Sequence, residues 1–521
     1  MTPASLESST DRNLFAALRD AFPPDLDTIA IETDGGLMYS WRDLDRATAM
    51  LANLLAGLDL PPQSRIAVQV EKSVEAAMLY LATLRAGHVF LPLNTAYQSA
   101  EMAYFIENAE PAVVVCTSRN FGWVSQLAFK AGTQAVFTLD DDRTGSLLQR
   151  AAACSDEHAC VARGGQDLAA ILYTSGTTGR SKGAMLSHGN LLSNALVLRQ
   201  AWGWRTPADG GDVLIHALPI FHVHGLFVAL HGALINGSPM LWQSRFEPAW
   251  VVANLPRATV FMGVPTMYVR LLADAGLTHA QCRAMRLFIS GSAPLLLDTF
   301  NRWQQRTGHT ILERYGMSET IMLTSNPCAS AQGERRGGTV GFPLPGVEIR
   351  VADPESGKIL PPETIGMLEV KGPNVFVGYW RMPEKTKAEF RPDGFFITGD
   401  LGRIDERGYV HIVGRAKDLI ITGGFNVYPK EVESEIDALP GVVESAVIGV
   451  PHADFGEGVT AVVVLQSGAR LAEAEVLATL SQRLAKFKLP KRVIFVPDLP
   501  RNAMGKVQKN VLRDQYGKLY Q

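Results

Sequence analysis

The alternation of strand-like and helix-like segments between residues 65 and 174 limits the possible folds more than any other feature of the sequence. Short apolar runs bounded by Gly or Pro, such as "RIAVQV", "VFLPL" and "LAAILYT", predict buried strands. Amphipathic stretches such as "SVEAAMLYLATLRAG" and "SAEMAYFIENAE" lie between them and predict helices. This order predicts an α/β fold in which helices cover a largely parallel sheet.

The rest of the chain predicts further domains. Its 521 residues exceed what one hydrophobic core supports, so we expect at least two domains. The turn-rich segment "EIRVADPESGKILPPETIGMLEV" has short β-like runs and predicts a small β subdomain. From Gly414 onward the pattern predicts strand, helix, strand, strand, helix, strand, helix, which is an α+β unit. We therefore expect an N-terminal domain over 1–413, a C-terminal cap over 414–521 and a hinge at 414–418.

Composition excludes several classes of function. Lys and Arg number 49 against 52 Asp and Glu, which gives a net charge of −3 without a basic block. A nucleic acid or an anionic membrane is therefore not expected as the main partner. The first residues lack the pattern of a signal or transit peptide, and five scattered cysteines fit a reducing compartment. We expect a cytoplasmic protein that is a monomer or a weak homo-oligomer.

The loop "YTSGTTGRSKG" predicts a phosphate site. Its glycines leave backbone amides accessible, its hydroxyls can donate to phosphate oxygens, and Lys182 supplies a mobile positive charge. It does not match the P-loop pattern G-x-x-x-x-G-K-[ST]. Counting from Gly176, the next glycine is Gly179, and Lys182 is followed by Gly183 instead of Ser or Thr. The residues alone therefore indicate phosphate binding without saying which phosphate.

A series of motifs from Tyr173 to Lys506 resembles the adenylate-forming superfamily, which includes acyl-CoA synthetases, luciferases and peptide-synthetase adenylation domains. After the phosphate loop, the series continues in the family's order with "LPIFHVHG", "FISGSAPL", "ERYGMSET", "DGFFITGDLG", "GYVHIVGRAKDLIITGGFNVYPKEVE" and "PRNAMGK". The resemblance implies an N-terminal part of two layered α/β subdomains and a β-barrel-like subdomain, followed by a mobile cap. It also implies that AMP from ATP is attached to a carboxylate while pyrophosphate leaves.

The resemblance assigns roles in ATP binding to residues of these motifs. Glu319 is expected to hold Mg²⁺ together with Thr178, since this ion prefers hard oxygen ligands. Asp400 is expected to bind the ribose hydroxyls with help from Arg415, and the segment 290–294 with Tyr315 is expected to form the adenine shelf. The full set for ATP and AMP is Thr174, Ser175, Gly176, Thr177, Thr178, Gly179, Lys182, Ser290, Gly291, Ser292, Ala293, Pro294, Tyr315, Gly316, Met317, Ser318, Thr320, Asp400 and Arg415.

The resemblance gives the cap two roles. Lys506, on a loop of the cap, is expected to bind the substrate carboxylate and the α-phosphate as charge develops. After adenylation, the cap is expected to turn about Lys417 and bring the loop containing Gly423, Gly424 and Phe425 to the site. Glycines there leave room for a pantetheine arm. Coenzyme A is the expected thiol, and phosphopantetheine on a carrier protein is the alternative.

Cationic residues bear on the identity of the acid. The chain closely resembles malonyl-CoA synthetases in "LPIFHVHGLFVAL", "RFEPAWV", "FMGVPTMY" and "LERYGMSET". His222 is expected to line the acyl pocket. A dicarboxylate needs a cation for its second carboxylate, and arginine can bind one bidentately. We consider Arg245 first, then Arg314, which could instead pair with Glu313 or a surface acid, and lastly Arg286, which is the least diagnostic.

The leading hypothesis is an ATP- and Mg²⁺-dependent malonate–CoA ligase, with methylmalonate as a further substrate to test. Within the same class, the alternative is a synthetase for short- or medium-chain fatty acids or aryl acids. From other classes, the alternatives are a luciferase-like oxygenase and a non-catalytic AMP-binding module. Retention of Lys506, Glu319 and Asp400 argues against the inert module.

Overall fold

A computed structural model describes residues 10–174, 181–423, 425–502 and 505–520. The first sheet contains the alternating segments that begin the chain's α/β pattern. Its central strands run parallel, as the pattern predicts, while two further strands extend one edge antiparallel. In order across the sheet, the strands are Gly378–Tyr379, Lys182–Ser187, Leu168–Thr174, Val89–Pro92, Arg65–Gln69, Val113–Cys116 and Ala135–Thr138.

The second sheet also belongs to the N-terminal part of the chain, and its central strands run parallel. Its strands at both edges are antiparallel. In order, they are Phe342–Pro343, Thr324–Ser325, Leu312–Tyr315, Leu287–Ser290, Val260–Gly263, Leu214–His216, Met240–Trp242, Ile29–Thr33 and Met38–Ser40.

The third sheet is antiparallel and corresponds to the expected β subdomain. It consists of Glu348–Ala352, Gly366–Lys371, Phe396–Ile404 and Val410–Arg415. The cap has a mixed sheet in which Arg492–Val496 pairs parallel with Gly456–Leu465. Its other strands are Phe425–Val427, Ile420–Thr422 and Val442–His452.

Helices cover the sheets on both sides. Those of the N-terminal part are Leu14–Asp20, Trp41–Ala56, Val74–Arg85, Ser99–Ala109, Phe121–Lys130, Ser146–Ala151, His188–Ala201, His231–Leu234, Pro248–Asn254, Pro265–Ala273, Leu297–Thr307 and Pro383–Ala388. Those of the cap are Pro429–Asp437, Glu473–Ser481 and Lys509–Tyr516. In the described parts of the chain, no helix combines the length and apolar character needed to cross a membrane.

The helix Val74–Arg85 shows how the first two sheets share one core. Every residue of this helix is buried, which is typical of a helix enclosed between layers. The Tyr80 ring packs at a tilt against Phe227 with ring centroids 5.9 Å apart, and the Tyr80 hydroxyl lies 2.7 Å from His231 Nε2. Residues of both sheets belong to the same apolar cluster as this helix, so the two sheets hold each other in place around the groove where the motifs meet.

The α/β class with several N-terminal sheets and a smaller C-terminal unit is confirmed. The cap shows the expected order of strands and helices with one further short strand, Phe425–Val427, before its first helix. One local difference concerns the segment after the phosphate loop. It forms the strand Lys182–Ser187, which folds back on Leu168–Thr174, and the next helix starts at His188. The proposed hinge at 414–418 covers the end of strand Val410–Arg415 and the short 3₁₀ turn Ala416–Asp418.

Candidate active site

The phosphate loop connects two strands of a β-hairpin. Thr174 ends the first strand and pairs with Lys182, which begins the second. Most of the expected phosphate-binding residues, namely Ser175, Gly176, Thr177, Thr178 and Gly179, lie outside the described residues. The structure therefore places the two ends of the loop, and the phosphate contacts inside it stay a prediction.

The residues expected to bind the nucleoside come from the second and third sheets. Tyr315 ends strand Leu312–Tyr315, and its hydroxyl donates a hydrogen bond to the Asp400 carboxylate. Arg415 lies directly across the third sheet from Asp400, and its Nε is 2.8 Å from Asp400 Oδ1. Asp400 is almost fully buried. Its carboxylate is therefore held in one orientation. A fixed orientation suits a carboxylate that accepts hydrogen bonds from ribose hydroxyls.

The segment Ser290 to Pro294 follows strand Leu287–Ser290 and makes a sharp turn. Ser292 adopts a left-handed backbone conformation with φ of 71°, which a non-glycine residue rarely adopts. Its hydroxyl lies 3.3 Å from His224 Nδ1. At Gly291, a side chain would overlap the guanidinium of Arg314. This turn therefore brings the adenine-shelf motif against residues of the acid-binding side, with Ala293 next in the chain.

The segment Gly316 to Ile321 presents the carboxylate of Glu319. Thr320 Oγ1 accepts a hydrogen bond from the Met317 amide at 3.3 Å, and Ile321 N–H donates to Met317 C=O at 2.8 Å. The turn closes so tightly that a side chain at Gly316 would overlap the backbone of Ile321. Ser318 lies within the turn, immediately before Glu319.

Glu319 suits the binding of Mg²⁺. Its side chain is only 5% exposed, and burial raises the pKa of its carboxyl. Within the described residues, no lysine or arginine forms an ion pair with it, and a hydroxyl 3.0 Å away is its side-chain hydrogen-bond partner. A buried carboxylate without a paired cation is costly. A divalent cation shared with phosphate oxygens would compensate that charge.

Lys506 reaches this region from the cap. Gly505, with φ of 73°, turns the chain just before it, and the Lys506 amide donates to Asn502 Oδ1 at 3.0 Å. Arg501 holds the loop by donating to the Gly505 carbonyl at 2.7 Å. Burial lowers the pKa of the Lys506 ammonium to about 8, and the positive charges of Arg415 and Arg314 act in the same direction.

The rate of adenylation is expected to depend on pH through Lys506. The ammonium is charged below about pH 8 and neutral above it, because its pKa in the protein is lowered to about 8. The kcat/KM for ATP–pyrophosphate exchange should therefore be highest below pH 8 and fall with one-proton dependence above it. A pH–rate profile measured at subsaturating acid checks this, and a profile that is flat from pH 7 to about 10 would contradict it.

A small cavity of about 170 Å³ lies beside the Lys506 loop. It is lined by His222, His224, Phe246, Thr266, Arg270, Ser292 and Gly505, among others. Pockets for drug-sized ligands measure about 300–1,000 Å³, so this cavity suits a small acid. Burial lowers the pKa of His222 to about 3, with the positive charges of Lys506 and Arg314 adding to the effect. His222 is therefore a neutral hydrogen-bonding group at physiological pH.

Arg314 is a buried cation next to this cavity, whose own lining contains Arg270. It is 3% exposed, and burial lowers the pKa of its guanidinium to about 9. Its Nε and Nη2 have no hydrogen-bond partner in the described residues, and it forms no ion pair there. The alternative that Arg314 pairs with Glu313 or a surface acid is therefore not what the structure shows. An unpaired buried guanidinium is a site that a ligand carboxylate can complete.

The other two candidate arginines are placed differently. Arg286 is bound to the fully buried Asp212, with Arg286 Nη2 2.7 Å from Oδ2 and Nε 3.1 Å from Oδ1. The Asp212 carboxylate already occupies two nitrogens of the Arg286 guanidinium, so Arg286 is not available to the substrate. This corrects the expectation that Arg286 binds the substrate carboxylate. Arg245 is exposed, and its neighbour Phe246 lines the cavity instead. A role for Arg245 requires its side chain to turn inward.

The proposed coenzyme A loop lies on the cap away from these groups. Gly423 donates to the Phe455 carbonyl at 2.8 Å, and Phe425 stacks on Phe487 with ring centroids 4.7 Å apart. These contacts are all within the cap, and Gly424 lies outside the described residues. Lys417, in the hinge turn, is exposed, and desolvation is the main cause that lowers the pKa of its ammonium. Among the described residues, the structure thus brings together residues expected to act in adenylation, while the contacts named for Gly423 and Phe425 are with the cap itself.

Sequence reasoning missed several residues of the site. Thr266 and Arg270 come from helix Pro265–Ala273, and Arg270 lies over the Phe246 ring at 4.9 Å. Tyr379 and Glu389 contact Glu319 and Lys182. The segment "FMGVP" before the helix was a usable signal, because a turn after a buried parallel strand is a common place for a binding residue. The chain offers no comparable local signal for Glu389.

Comparisons with known proteins agree with this arrangement. The AMP-binding enzyme family matches residues 20–380, and the AMP-binding enzyme C-terminal domain matches residues 431–506. The chain therefore belongs to the AMP-binding enzyme family. A malonate–CoA ligase of Arabidopsis thaliana is 33% identical over 98% of this chain and 90% of its own. A feruloyl-CoA synthase of an Amycolatopsis species is 35% identical over 93% of this chain and 95% of its own.

A solved structure bears on the arrangement of the cap. ATP-bound MatB from Rhodopseudomonas palustris is 60% identical and has a TM-score of 0.94, covering 98% of this chain and 99% of that one. Apo MatB, over the same coverage, has a TM-score of 0.83. The arrangement of domains described above, with Lys506 at the active site, thus resembles the ATP-bound form more than the apo form.

Proposed function

We propose that this protein is an ATP-dependent malonate–CoA ligase that forms malonyl-AMP and then malonyl-CoA. The observation that carries the choice of acid is the buried Arg314, whose Nε and Nη2 have no partner in the described residues. Relatives named for malonate and for ferulate are about equally identical to the chain, but the 60% identity to MatB, a malonyl-CoA synthetase, is much higher and supports malonate. The small cavity is lined by Arg270, and the buried Arg314 lies next to its wall, against Gly291. Cations at a small cavity favour a short dicarboxylate over a fatty or aryl acid.

In the first half-reaction, the residues of the site bring two anions together. Arg314 binds the distal carboxylate of malonate, and His222 lies beside the reacting one. Lys506 faces the same region and stabilises the charge that develops as a carboxylate oxygen attacks the α-phosphate and pyrophosphate leaves. Asp400 and Tyr315 orient the nucleoside. Mg²⁺, held by Glu319, supplies positive charge to the triphosphate when it is bound.

In the second half-reaction, the thiol of coenzyme A attacks the acyl carbon and AMP leaves. We propose that the cap turns about the residues 414–418, which withdraws Lys506 and brings the loop of Gly423 and Phe425 to the acid. The similarity to ATP-bound MatB supports the starting arrangement. The proposal keeps the division into an N-terminal domain over 1–413 and a cap over 414–521. Phosphopantetheine on a carrier protein remains the alternative to coenzyme A as the thiol.

We also propose that the protein works in a reducing, cytoplasmic environment as a monomer or weak homo-oligomer. All five of its cysteines are unpaired, and two of them are buried. Free thiols persist where the surroundings are reducing. Size-exclusion chromatography with light scattering measures the oligomeric state directly.

An acid panel tests the proposed substrate. At fixed ATP, Mg²⁺ and coenzyme A, we expect the highest kcat/KM for malonate, a lower value for methylmalonate, and much lower values for acetate, butyrate and ferulate. The expected advantage of malonate over butyrate is about 30- to 4,000-fold, which corresponds to the 2–5 kcal/mol of a buried charge pair. Butyrate or ferulate as the best substrate would contradict the proposal. Oxygen uptake during turnover would favour the luciferase-like alternative.

A further inference from the structure

We propose that Tyr379 and Glu389 are positioning residues that hold Glu319 and Lys182 in a fixed relation for binding Mg-ATP. This inference rests on the ATP-dependent part of the proposed function and is independent of which acid is used. Its starting point is that one aromatic side chain contacts both the carboxylate expected to hold Mg²⁺ and the lysine that begins the strand after the phosphate loop.

The Tyr379 hydroxyl bridges two carboxylates. It lies 3.0 Å from Glu319 Oε1 and 2.8 Å from Glu389 Oε2. The single proton of the hydroxyl is shared between the two carboxylates. Because Tyr379 and Glu319 are buried, water does not compete for the bond to Glu319. A carboxylate that is bound at one oxygen by a fixed hydroxyl keeps its orientation, which is how groups outside a metal's immediate ligands commonly orient those ligands.

Lys182 is held by the same pair of residues. Its Nζ lies 2.9 Å from Glu389 Oε1 and 4.2 Å from the centre of the Tyr379 ring. The side chains of Lys182 and Glu389 are each 19% exposed, so this ion pair is only partly screened by solvent. An ammonium group has three donors, so the bond to Glu389 fixes its place while the remaining donors can reach phosphate oxygens.

The backbone next to Tyr379 joins the same two parts of the site. Strand Gly378–Tyr379 pairs with Lys182–Ser187, and the Trp380 amide donates to the Gly183 carbonyl at 2.8 Å. At the other end of this segment, the Phe376 amide donates to the Glu319 carbonyl at 2.8 Å. Residues 376–380 therefore connect the phosphate hairpin to the Glu319 turn through main-chain bonds as well as through Tyr379.

Glu389 also has an effect on ATP binding that opposes its positioning of Lys182. Its negative charge lies near the expected triphosphate and competes with it for Lys182. If competition dominated, removing the charge would tighten ATP binding. We expect positioning to dominate, because the Tyr379 hydroxyl contacts Glu389 Oε2 and Lys182 keeps further donors for phosphate. The exposed Lys385, whose Nζ is 2.8 Å from Glu389 Oε1, contributes little.

The first test replaces the hydroxyl alone. Isothermal titration calorimetry measures ATP binding to the full-length protein without acid or coenzyme A, once with Mg²⁺ and once with EDTA. For Tyr379→Phe, which keeps the ring under Lys182, we expect the Kd of Mg-ATP to rise about tenfold, as for the loss of a hydrogen bond to a charged group. The Kd of metal-free ATP should change less than about twofold. Equal weakening in both conditions would show a general structural role and overturn the inference for Tyr379.

The second test removes the charge that holds Lys182. For Glu389→Gln we expect the Kd to rise about fivefold or more with and without Mg²⁺, since Lys182 binds phosphate in both cases. The matched control is Lys385→Gln, which removes the exposed partner of the same carboxylate and should leave both values within about twofold. An unchanged Kd or tighter binding by Glu389→Gln would overturn the inference. Because malonate is absent, a wrong acid assignment leaves these results unaffected.

Discussion

Replacing Lys506 with alanine is expected to lower the rate of malonate-dependent ATP–pyrophosphate exchange by about 10²–10³-fold, the range for losing a donor that stabilises transition-state charge. The reason is its position. Lys506 comes from the cap on a loop held by Arg501 and Asn502, and its charge is felt by His222 in the acid cavity. Alanine removes this charge and leaves the surrounding loop intact.

The same variant separates the two half-reactions. With supplied malonyl-AMP and coenzyme A, Lys506→Ala should form malonyl-CoA at close to the wild-type rate, because the proposed second conformation withdraws Lys506. Lys518→Ala, which alters an exposed lysine of the same domain, is the matched control and should behave as wild type in both assays. Wild-type pyrophosphate exchange by Lys506→Ala would contradict the assigned role.

Replacing Arg314 with methionine should lower kcat/KM for malonate about 30- to 4,000-fold, which corresponds to the 2–5 kcal/mol for breaking a buried charge pair. The kcat/KM for butyrate, which has no second carboxylate, should fall much less. The thermal stability of the variant is a second measurement, because Arg314 is buried and its Nε and Nη2 have no hydrogen-bond partner in the described residues. Because an unpaired buried charge is unfavourable, Arg314→Met should raise the melting temperature of the free protein.

Arg245→Leu is the comparison for this prediction. Arg245 is exposed in the structure, so we expect its replacement to change the KM for malonate less than about tenfold. A steep rise in KM for Arg245→Leu, with unchanged malonate kinetics for Arg314→Met, would move the distal-carboxylate role from Arg314 to Arg245. Loss of activity with malonate and butyrate alike in Arg314→Met would show a role in adenylation itself.

Local patterns predicted much of the fold. The run "LAAILYT" forms the strand Leu168–Thr174, and the cap elements occur in the expected order apart from the additional strand Phe425–Val427. The hairpin around the phosphate loop was not predicted, because "KGAMLS" is short and gives no direction of pairing by itself. Whether a strand runs parallel or antiparallel depends on what it packs against.

Contacts between distant residues explain most of what the sequence did not reveal. Arg286 pairs with Asp212, 74 residues away, and nothing in the local pattern distinguishes that pair from a substrate site. Lys182 and Glu389 are 207 residues apart. Arg314 was a weak candidate by sequence, since exposed and buried arginines look alike in a motif, and its burial became visible only in the folded chain.

The most direct test of the central claim follows oxygen from malonate to AMP. The protein would be incubated with malonate labelled with oxygen-18 in its carboxylates, together with Mg-ATP and coenzyme A, and the products would be analysed by mass spectrometry. If a malonate oxygen attacks the α-phosphate, the products are malonyl-CoA, pyrophosphate and AMP that carries one labelled oxygen. Unlabelled AMP, or ADP and phosphate as products, would contradict the account.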